Sequence, residues 1–396
     1  MTKFKGVIVV GAGPVGFLTA LGLARAGIKV MVLEAEAAIN DSPRAAVYFP
    51  TTLKILDRLG LLDDVLAIAY TSSRFSYRLL ETGEAIRVDT KNTFPPDAPY
   101  PYNAHFGQHI LAQLVLNHLT ALPDTQVRWN TRLVDLSQDH EGVILTVETA
   151  DGLQRIHADW VVGADGARSS VRRLLGLAFE GHTWPERFVA TNVRYDFEKY
   201  GFEPANMIAD AVNYAVVARL GLDDLWRVTY AEDVNLPEAQ TANRIADRYA
   251  ALLPDPQAPY HIVASSPYRV HERCAASFRV SRVLLAGDAA HTCNPCGGMG
   301  LTGGVIDARA LIEVLTAVIG GHAPDSALDF YSIERRRVFL EVSSPVASEY
   351  KRRMSEPDAR RRHADFEEFR IAAEAPEKTM MASTVSQLVE GNPMPV

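Results

Sequence analysis

Cysteine is scarce in this chain of 396 residues, with three in all: Cys274, Cys293 and Cys296. Three thiols cannot build a disulfide framework, and no charged, apolar, small-residue leader opens the sequence, which points to a reducing, cytoplasmic setting. Long hydrophobic runs are missing too. GVIVVGAGPVGFLTALGLA falls short of the ~20 apolar residues that cross a bilayer and is interrupted by glycine and proline. Nor is there an excess of positive charge: the net charge is −8, and the basic stretches Lys351 to Arg353 and Arg360 to Arg362 are interleaved with acids, as on a solvated face. Nucleic acid and membrane are therefore not expected as partners. What is present is 47% apolar content over a length that can bury a substantial core, divided between two domains or more.

The interrupted N-terminal stretch carries the first motif. Lys5 to Val10 reads as a short buried strand, Gly11 to Gly16 as a glycine turn, and FLTALGLARAG as a helix stopping at Gly27. Gly11 permits the tight turn, Gly13 lets a pyrophosphate approach the backbone, and Gly16 lets the helix pack closely on the strand. A second strand, Lys29 to Leu33, ends in Glu34, whose carboxylate is placed to accept from a ribose diol. Strand, turn, helix, strand and acid together point to dinucleotide binding; the bland alternative is an apolar βαβ unit with packing glycines.

After Glu34 the pattern becomes irregular. Ser42, Pro43 and Arg44 lie in an extended stretch that leaves Arg44 as a lone cation, and a helix is expected from about Thr51 to Leu59, capped by Gly60. Residues 107–122 form an amphipathic helix with Gln108 at its start. Residues 127–158 alternate as a β-meander, with turns at Asp139 to Gly142 and Asp151 to Gly152. DWVVGADGARSSVRRLLG then gives a strand end, a turn at Asp165 and Gly166, and a short helix, Ser169 to Leu175. RVLLAGDAAH repeats the design: a buried strand ends at Gly287 and Asp288, and glycines lead into a helix over Val305 to Ile319.

Two strand-to-aspartate turns following an N-terminal GxGxxG resemble the group A flavoprotein aromatic hydroxylases, the fold of para-hydroxybenzoate hydroxylase, over about residues 5 to 350. The resemblance implies an α/β chain with a Rossmann-like, GR2-type FAD-binding domain (residues 1–72, 100–180 and 278–344), an inserted mixed β-sheet substrate domain (73–99 and 181–277) and a C-terminal helical cover (345–396). It assigns Gly11, Gly13, Gly16 and Glu34 to the ADP half of FAD, Arg44 and Gln108 to its middle, and Asp165, Gly166, Gly287 and Asp288 to the family's two turns. Gly297, Gly298, Gly300, Leu301 and Thr302 would lie against the isoalloxazine ring, where backbone amides stabilise charge on reduction. Pro295 keeps the family's position, whereas Asn294 and Cys296 depart from it, and Thr302 stands where asparagine is common.

Cys293 and Cys296 form a CxxC with His291 two residues before it. Only Cys274 could add a sulfur, so a zinc tetrahedron is not expected, and redox CxxC pairs belong to a different fold. The expected role is shape, with Cys293 and Cys296 as small apolar thiols lining the space before the flavin. The middle of the chain would supply the substrate's chamber: a strand from about Arg187 to Tyr195, a hairpin turning near Gly221 to Asp224, and Phe75 to Val88 with its ETG turn. The resemblance places Arg227 beside the flavin; Tyr214 and Arg219 are candidate pocket walls.

Carried over as chemistry, the resemblance implies that NADPH or NADH reduces FAD, that O2 adds to it as a C4a-hydroperoxyflavin, and that oxygen reaches an electron-rich ring carbon in a dry pocket. SPRAAVYF, GHTWPERFVATNVRYDF, SPYRVHERCAASFR and NPCGGMGL look like the branch that includes para-nitrophenol 4-monooxygenase and 6-hydroxy-3-succinoylpyridine 3-monooxygenase. The expected substrate is a phenol or hydroxypyridine oxygenated at a substituted carbon with loss of the substituent, the pyridine being favoured. Two alternatives stay open. A flavin halogenase would need a WxWxIP stretch that Trp129, Trp160, Trp184 and Trp226 do not supply, and a redox-sensing flavoprotein would bind ligand or partner without oxygenation. A homodimer is left open. The stretch from about Pro345 is charged and helical, loosening over Met380 to Val396.

Overall fold

The computed structural model describes residues 2–93, 98–374 and 388–396. Thr2–Val10 forms the centre of an eight-stranded sheet because Val7 to Val10 are buried on both faces, the pattern of a parallel strand covered from each side. It pairs in parallel with Val30–Leu33 on one side and Gly152–Gly163 on the other, and Thr125–Arg128 and Val283–Leu285 continue the parallel set outward. Helices Gln108–Thr120 and Met299–Ile319 pack against helix Pro14–Arg25. The expected meander is Arg132–Gln138, Val143–Thr149 and Gly152–Gly163.

Register in this sheet decides where the motifs meet. Leu33, Val10, Gly163 and Leu285 are successive partners in one row. The residues that follow them, Glu34, the Gly11 turn, the Ala164–Gly166 turn and the Ala286–Asp288 turn, therefore emerge at the same carboxyl edge, where ligands of open parallel sheets bind.

A second, mixed sheet of eight strands runs in the order His291–Thr292, His261–Ala275, Phe179–Arg194, Leu225–Asp233, Ala215–Arg219, Ala205–Ala209, Arg74–Leu79 and Ala85–Asp89. Only Ala205–Ala209 and Arg74–Leu79 pair in parallel. A small sheet of Val47–Tyr48, Asn103–His105 and Tyr70–Ser72 stands apart from both.

The structure departs from the sequence reading at three places. The helix expected from Val305 begins at Met299, directly after its N-cap Gly298, whose φ of +65° is a conformation that favours glycine. Gly303 and Gly304 in its first turns, poor helix formers, are there for close approach: a Cβ on Gly303 would lie 3.2 Å from His291, and one on Gly304 2.7 Å from Val15 and 3.2 Å from Gly287. Strand Phe179–Arg194 starts well before Arg187 because it has a long partner, His261–Ala275, which Pro267 hides in the sequence. Proline is tolerated at 267 because the other neighbour, His291–Thr292, reaches only Arg273 and Cys274, leaving the strand on the sheet's edge there. Of the stretch expected to loosen, residues 380–387 lie outside the described residues, while 388–396 is docked, with Val389 and Met394 buried.

Candidate active site

A cavity of about 540 Å³ runs from the carboxyl edge of the parallel sheet to the face of the mixed sheet. One end is built on Gly13, Pro14, Val15, Ala164 and Gly166. Gly13 is the N-cap of helix Pro14–Arg25, with no side-chain cap, and an added Cβ there would find no atom within 4 Å. Gly16 and Gly11 do the opposite work: a Cβ on Gly16 would sit 2.0 Å from the Gly11 carbonyl oxygen, and one on Gly11 2.4 Å from that of Ala164. These two glycines let turn, strand and helix close up, and Gly13 leaves a cradle. The Ala12 amide donates to Glu34 Oε2 at 2.7 Å and the Glu36 amide to Oε1 at 2.9 Å, fixing the carboxylate beside the turn with lone pairs to spare.

Asp165 is differently employed. Its carboxylate accepts from Ser169 Oγ (2.5 Å) and from the amides of Ser170 (2.6 Å) and Val171 (3.2 Å), capping helix Ser170–Leu174. It is Gly166, at φ +76° with open space around it, that faces the cavity. Gly287 lies behind the wall, its amide donating to Asp307 Oδ2 at 3.0 Å, and Asp288 reaches the cavity. The Asp288 side chain is exposed, but to this chamber; the surrounding interior raises its carboxyl above the usual range, opposed by His291, Arg44 and Arg172.

The middle of the cavity is lined by Arg44 and Gln108 and by the loop Cys293 to Thr302. Asn294, fully buried, caps the Pro295–Gly297 turn by accepting from the Cys296 amide at 3.1 Å. Gly298 then caps the long helix without side-chain help, so a second helix N-terminus opens on the cavity. Thr302 lines it, although its hydroxyl donates back to the Gly298 carbonyl at 2.8 Å. The three cysteines are unpaired. Burial pushes the Cys296 thiol up to about 12 and the Cys293 thiol well above its ordinary value.

The far wall belongs to the mixed sheet. Phe75, Met207, Val216, Ala218, Thr229 and Tyr268 face the cavity, with Tyr350 from helix Ser344–Met354. Arg227, 4% exposed, donates from Nε (3.1 Å) and Nη2 (2.8 Å) to Asn192 Oδ1 and from Nη1 to the carbonyls of Arg44 and Ala45. It thus ties the sheet to the extended segment on the cavity's other side. Burial lowers its pKa to about 10, so it keeps its charge at neutral pH. The Tyr268 hydroxyl is engaged by no described residue, and the Arg44 guanidinium lies 5.5 Å from the centre of its ring.

The family model described as an FAD binding domain matches residues 5–344. The chain is 46% identical over 374 residues to a para-nitrophenol 4-monooxygenase of Pseudomonas sp. (strain WBC-3), covering 94% of this chain and 93% of that protein. It is 45% identical over 350 residues to the 6-hydroxy-3-succinoylpyridine 3-monooxygenase HspB of Pseudomonas putida, covering 88% of each. The crystal structure of p-nitrophenol 4-monooxygenase PnpA from Pseudomonas putida DLL-E4 superposes with a TM-score of 0.95 at 43% identity over 100% of both chains. This chain belongs to the group A FAD-dependent hydroxylases. Neither a halogenase nor a redox sensor is among these relatives.

The hydroxylase's residues fit FAD on their own evidence. A cradle at Gly13 that a Cβ would enter without contact, two helix N-termini without side-chain caps, and a Gly-rich loop along the wall suit a long ligand with a pyrophosphate and a flat, electron-accepting ring. Of the residues singled out in the sequence, Gly13, Arg44, Gln108, Gly166, Arg227, Asp288, Cys293, Pro295, Gly297, Gly298, Gly300, Leu301 and Thr302 line this one cavity. Tyr214 does not: its hydroxyl donates to Glu186 Oε1 at 2.7 Å, and Lys351 pairs with the same carboxylate. Arg219 is turned to Glu198 and stacks on Tyr70.

Cys296 lines the cavity together with Cys293, and sequence reading missed Tyr268, Thr229, Met207, Tyr350 and Val389 as cavity residues. It also missed the buried group behind the loop, in which His291 Nε2 lies 2.7 Å from Asp307 Oδ2 and Arg335 Nε donates to Asp307 Oδ1 at 2.7 Å. Phe278 and Phe339 stack on His291. Among the described residues no group of three or more His, Cys, Asp or Glu is placed to hold a metal, and no helix is long and apolar enough to cross a membrane.

Proposed function

We propose that this hydroxylase oxygenates a phenol or hydroxypyridine at a ring carbon bearing a substituent, which is expelled. The relatives' names support the reading. Para-nitrophenol 4-monooxygenase and 6-hydroxy-3-succinoylpyridine 3-monooxygenase each pair a hydroxylated ring with oxygenation at the position that carries the substituent. The observation that carries it here is the single chamber joining the Gly13 cradle to an apolar wall on which the Tyr268 hydroxyl is free to bond. When bound, FAD supplies activation of O2 with electrons from NADPH or NADH.

The chain's own part is to bind, orient and keep dry. Gly13, Gly166, Glu34, Arg44, Gln108 and Asp288 hold the cofactor, and the Cys293–Thr302 loop faces its ring. Phe75, Met207, Val216 and Ala218 exclude water from the reacting ring. Burial raises the Tyr268 phenol, so the residue keeps its proton at neutral pH and donates a hydrogen bond to the substrate's oxygen. Arg44 and Arg227 add positive charge that favours the substrate's oxyanion, the form with the more nucleophilic ring. Arg227 also keeps the sheet in place over the cofactor segment. In this reading residues 1–72, 100–180 and 278–344 bind the cofactor, 73–99 and 181–277 bind the substrate, and 345–396 cover the chamber. The three unpaired cysteines support a cytoplasmic enzyme.

The test is consumption of NADH and NADPH across a panel of substituted phenols and hydroxypyridines, with products analysed by mass under ¹⁸O2. Ligand-dependent turnover with one labelled oxygen in the product and release of the substituent supports the proposal. Turnover without oxygen incorporation overturns it.

A further inference from the structure

Val389 is 1% exposed and lines the cofactor cavity, although it lies far in sequence from every motif. It is held there by a chain of buried bonds. Arg335, 1% exposed, donates from Nη1 to the carbonyls of Val389 (3.0 Å) and Glu390 (3.3 Å) and from Nε to Asp307 Oδ1 (2.7 Å). Asp307 Oδ2 accepts from the amide of Gly287, immediately before the cavity residue Asp288, and lies 2.7 Å from His291. One residue before Arg335, Glu334 accepts from the Asn392 amide at 2.7 Å. Gly391, at φ +71°, lets the chain pass this close: a Cβ there would meet Val338 at 2.8 Å and Glu334 at 2.9 Å.

We propose that residues 388–396 form a working wall of the FAD chamber and that Arg335 is the positioning residue that couples their docking to the Gly287–Asp288 turn. The bonds of Arg335 divide between the two: one edge of its guanidinium fixes the aspartate that shapes the turn, the other fixes the backbone that brings Val389 to the cavity. Removing the segment opens the chamber and frees Arg335 from two acceptors, so the cofactor escapes more readily. The inference rests on the reading that FAD occupies this cavity.

The experiment titrates FAD into apoprotein and follows flavin fluorescence, with the melting temperature of each apoprotein and the visible spectrum of the bound flavin measured in parallel. Deleting residues 388–396 should raise the FAD Kd by about ten-fold or more, and Val389→Gly in the full chain by about three- to ten-fold, as expected for an apolar wall contact. Arg335→Lys, which cannot serve both partners, should weaken FAD as the deletion does and shift the bound flavin's spectrum in the same direction. Lys54→Ala removes only the peripheral bridge to Glu390, 3.8 Å long, and should leave the Kd unchanged. An unchanged Kd in the deletion overturns the proposal, as does a fall in apoprotein melting temperature that tracks the loss of affinity across all variants. Should the deletion fail to fold, Val389→Gly decides alone. Failure of the parent chain to bind FAD would refute the cofactor reading instead.

Discussion

Glu272 Oε2 accepts from both the backbone amide (3.2 Å) and the side-chain amide (3.1 Å) of Asn294. Glu272 comes from the mixed sheet and Asn294 from the loop along the cavity, so one carboxylate oxygen sets the loop's height above the sheet. Glu272→Leu leaves the two buried donors of Asn294 unmet, at about 1–3 kcal/mol of stability each, also removes the acceptor of Trp184 Nε1 (3.3 Å), and lets the Pro295–Gly297 turn shift. Reductant consumption should persist while product per reductant falls and hydrogen peroxide rises; Glu272→Gln, which keeps an acceptor, should restore the ratio. Equal ratios in all three proteins would show that the contact serves stability alone.

The glycines at 13 and 16 should fail in different ways. Gly13 has φ −75° and ψ 175°, open to any residue, and space for a side chain. Gly13→Val should fold with an unchanged apoprotein melting temperature yet purify without flavin. Gly16→Ala forces a Cβ against the Gly11 carbonyl and should cost about 1–3 kcal/mol or more in denaturant unfolding, whether or not FAD is present.

Tyr268→Phe removes the proposed donor to the substrate's oxygen. A hydrogen bond to a charged group contributes about 1.5–3 kcal/mol, so KM should rise by ten-fold or more and the phenol pKa read from the pH–rate profile of the complex should rise by about one unit. An unaltered profile would remove Tyr268 from the substrate's surroundings.

Burial holds the thiols of Cys293 and Cys296 protonated, that of Cys296 up to about 12 despite the nearby Lys351. At pH 8 iodoacetamide should therefore spare both in the native protein over a time that labels the unfolded chain completely, as peptide mass analysis would show. Cys293→Ser should retain flavin and turnover.

Burial alone would raise the Asp307 carboxyl, but His291 and Arg335 override it and hold it at about 2, below its ordinary 3.8. A depressed folded pKa adds stability above the unfolded value and loses it as pH falls from about 4 toward 2, roughly 2 kcal/mol in all. Urea midpoints measured across that range should fall more steeply for the native chain than for Asp307→Asn. Parallel curves would contradict the assignment.

The cofactor half was legible because its signals are contiguous: strand, glycine turn, helix, strand and Glu34 lie within the first 34 residues, and each has one backbone reason to be there. Asp165 shows the limit. A carboxylate at a strand end can face a ligand or cap the next helix, and only the bonds to Ser169 and Ser170 decide. Tyr214 shows another. Its parity matches Val216 and Ala218, which face the cavity, but it precedes the strand Ala215–Arg219 and turns to Glu186. Tyr268 stayed hidden because the proline beside it argues against a strand, and Val389 because its place depends on an arginine 54 residues earlier.

Pro267 has a wider effect than concealing a strand. Along the rim of the mixed sheet formed by His261 to Arg269, a visiting chain would look for a run of amide donors and meet a gap at its middle. That blunts strand-on-strand aggregation at this border, and self-association there would have to rely on side chains rather than a continued ladder.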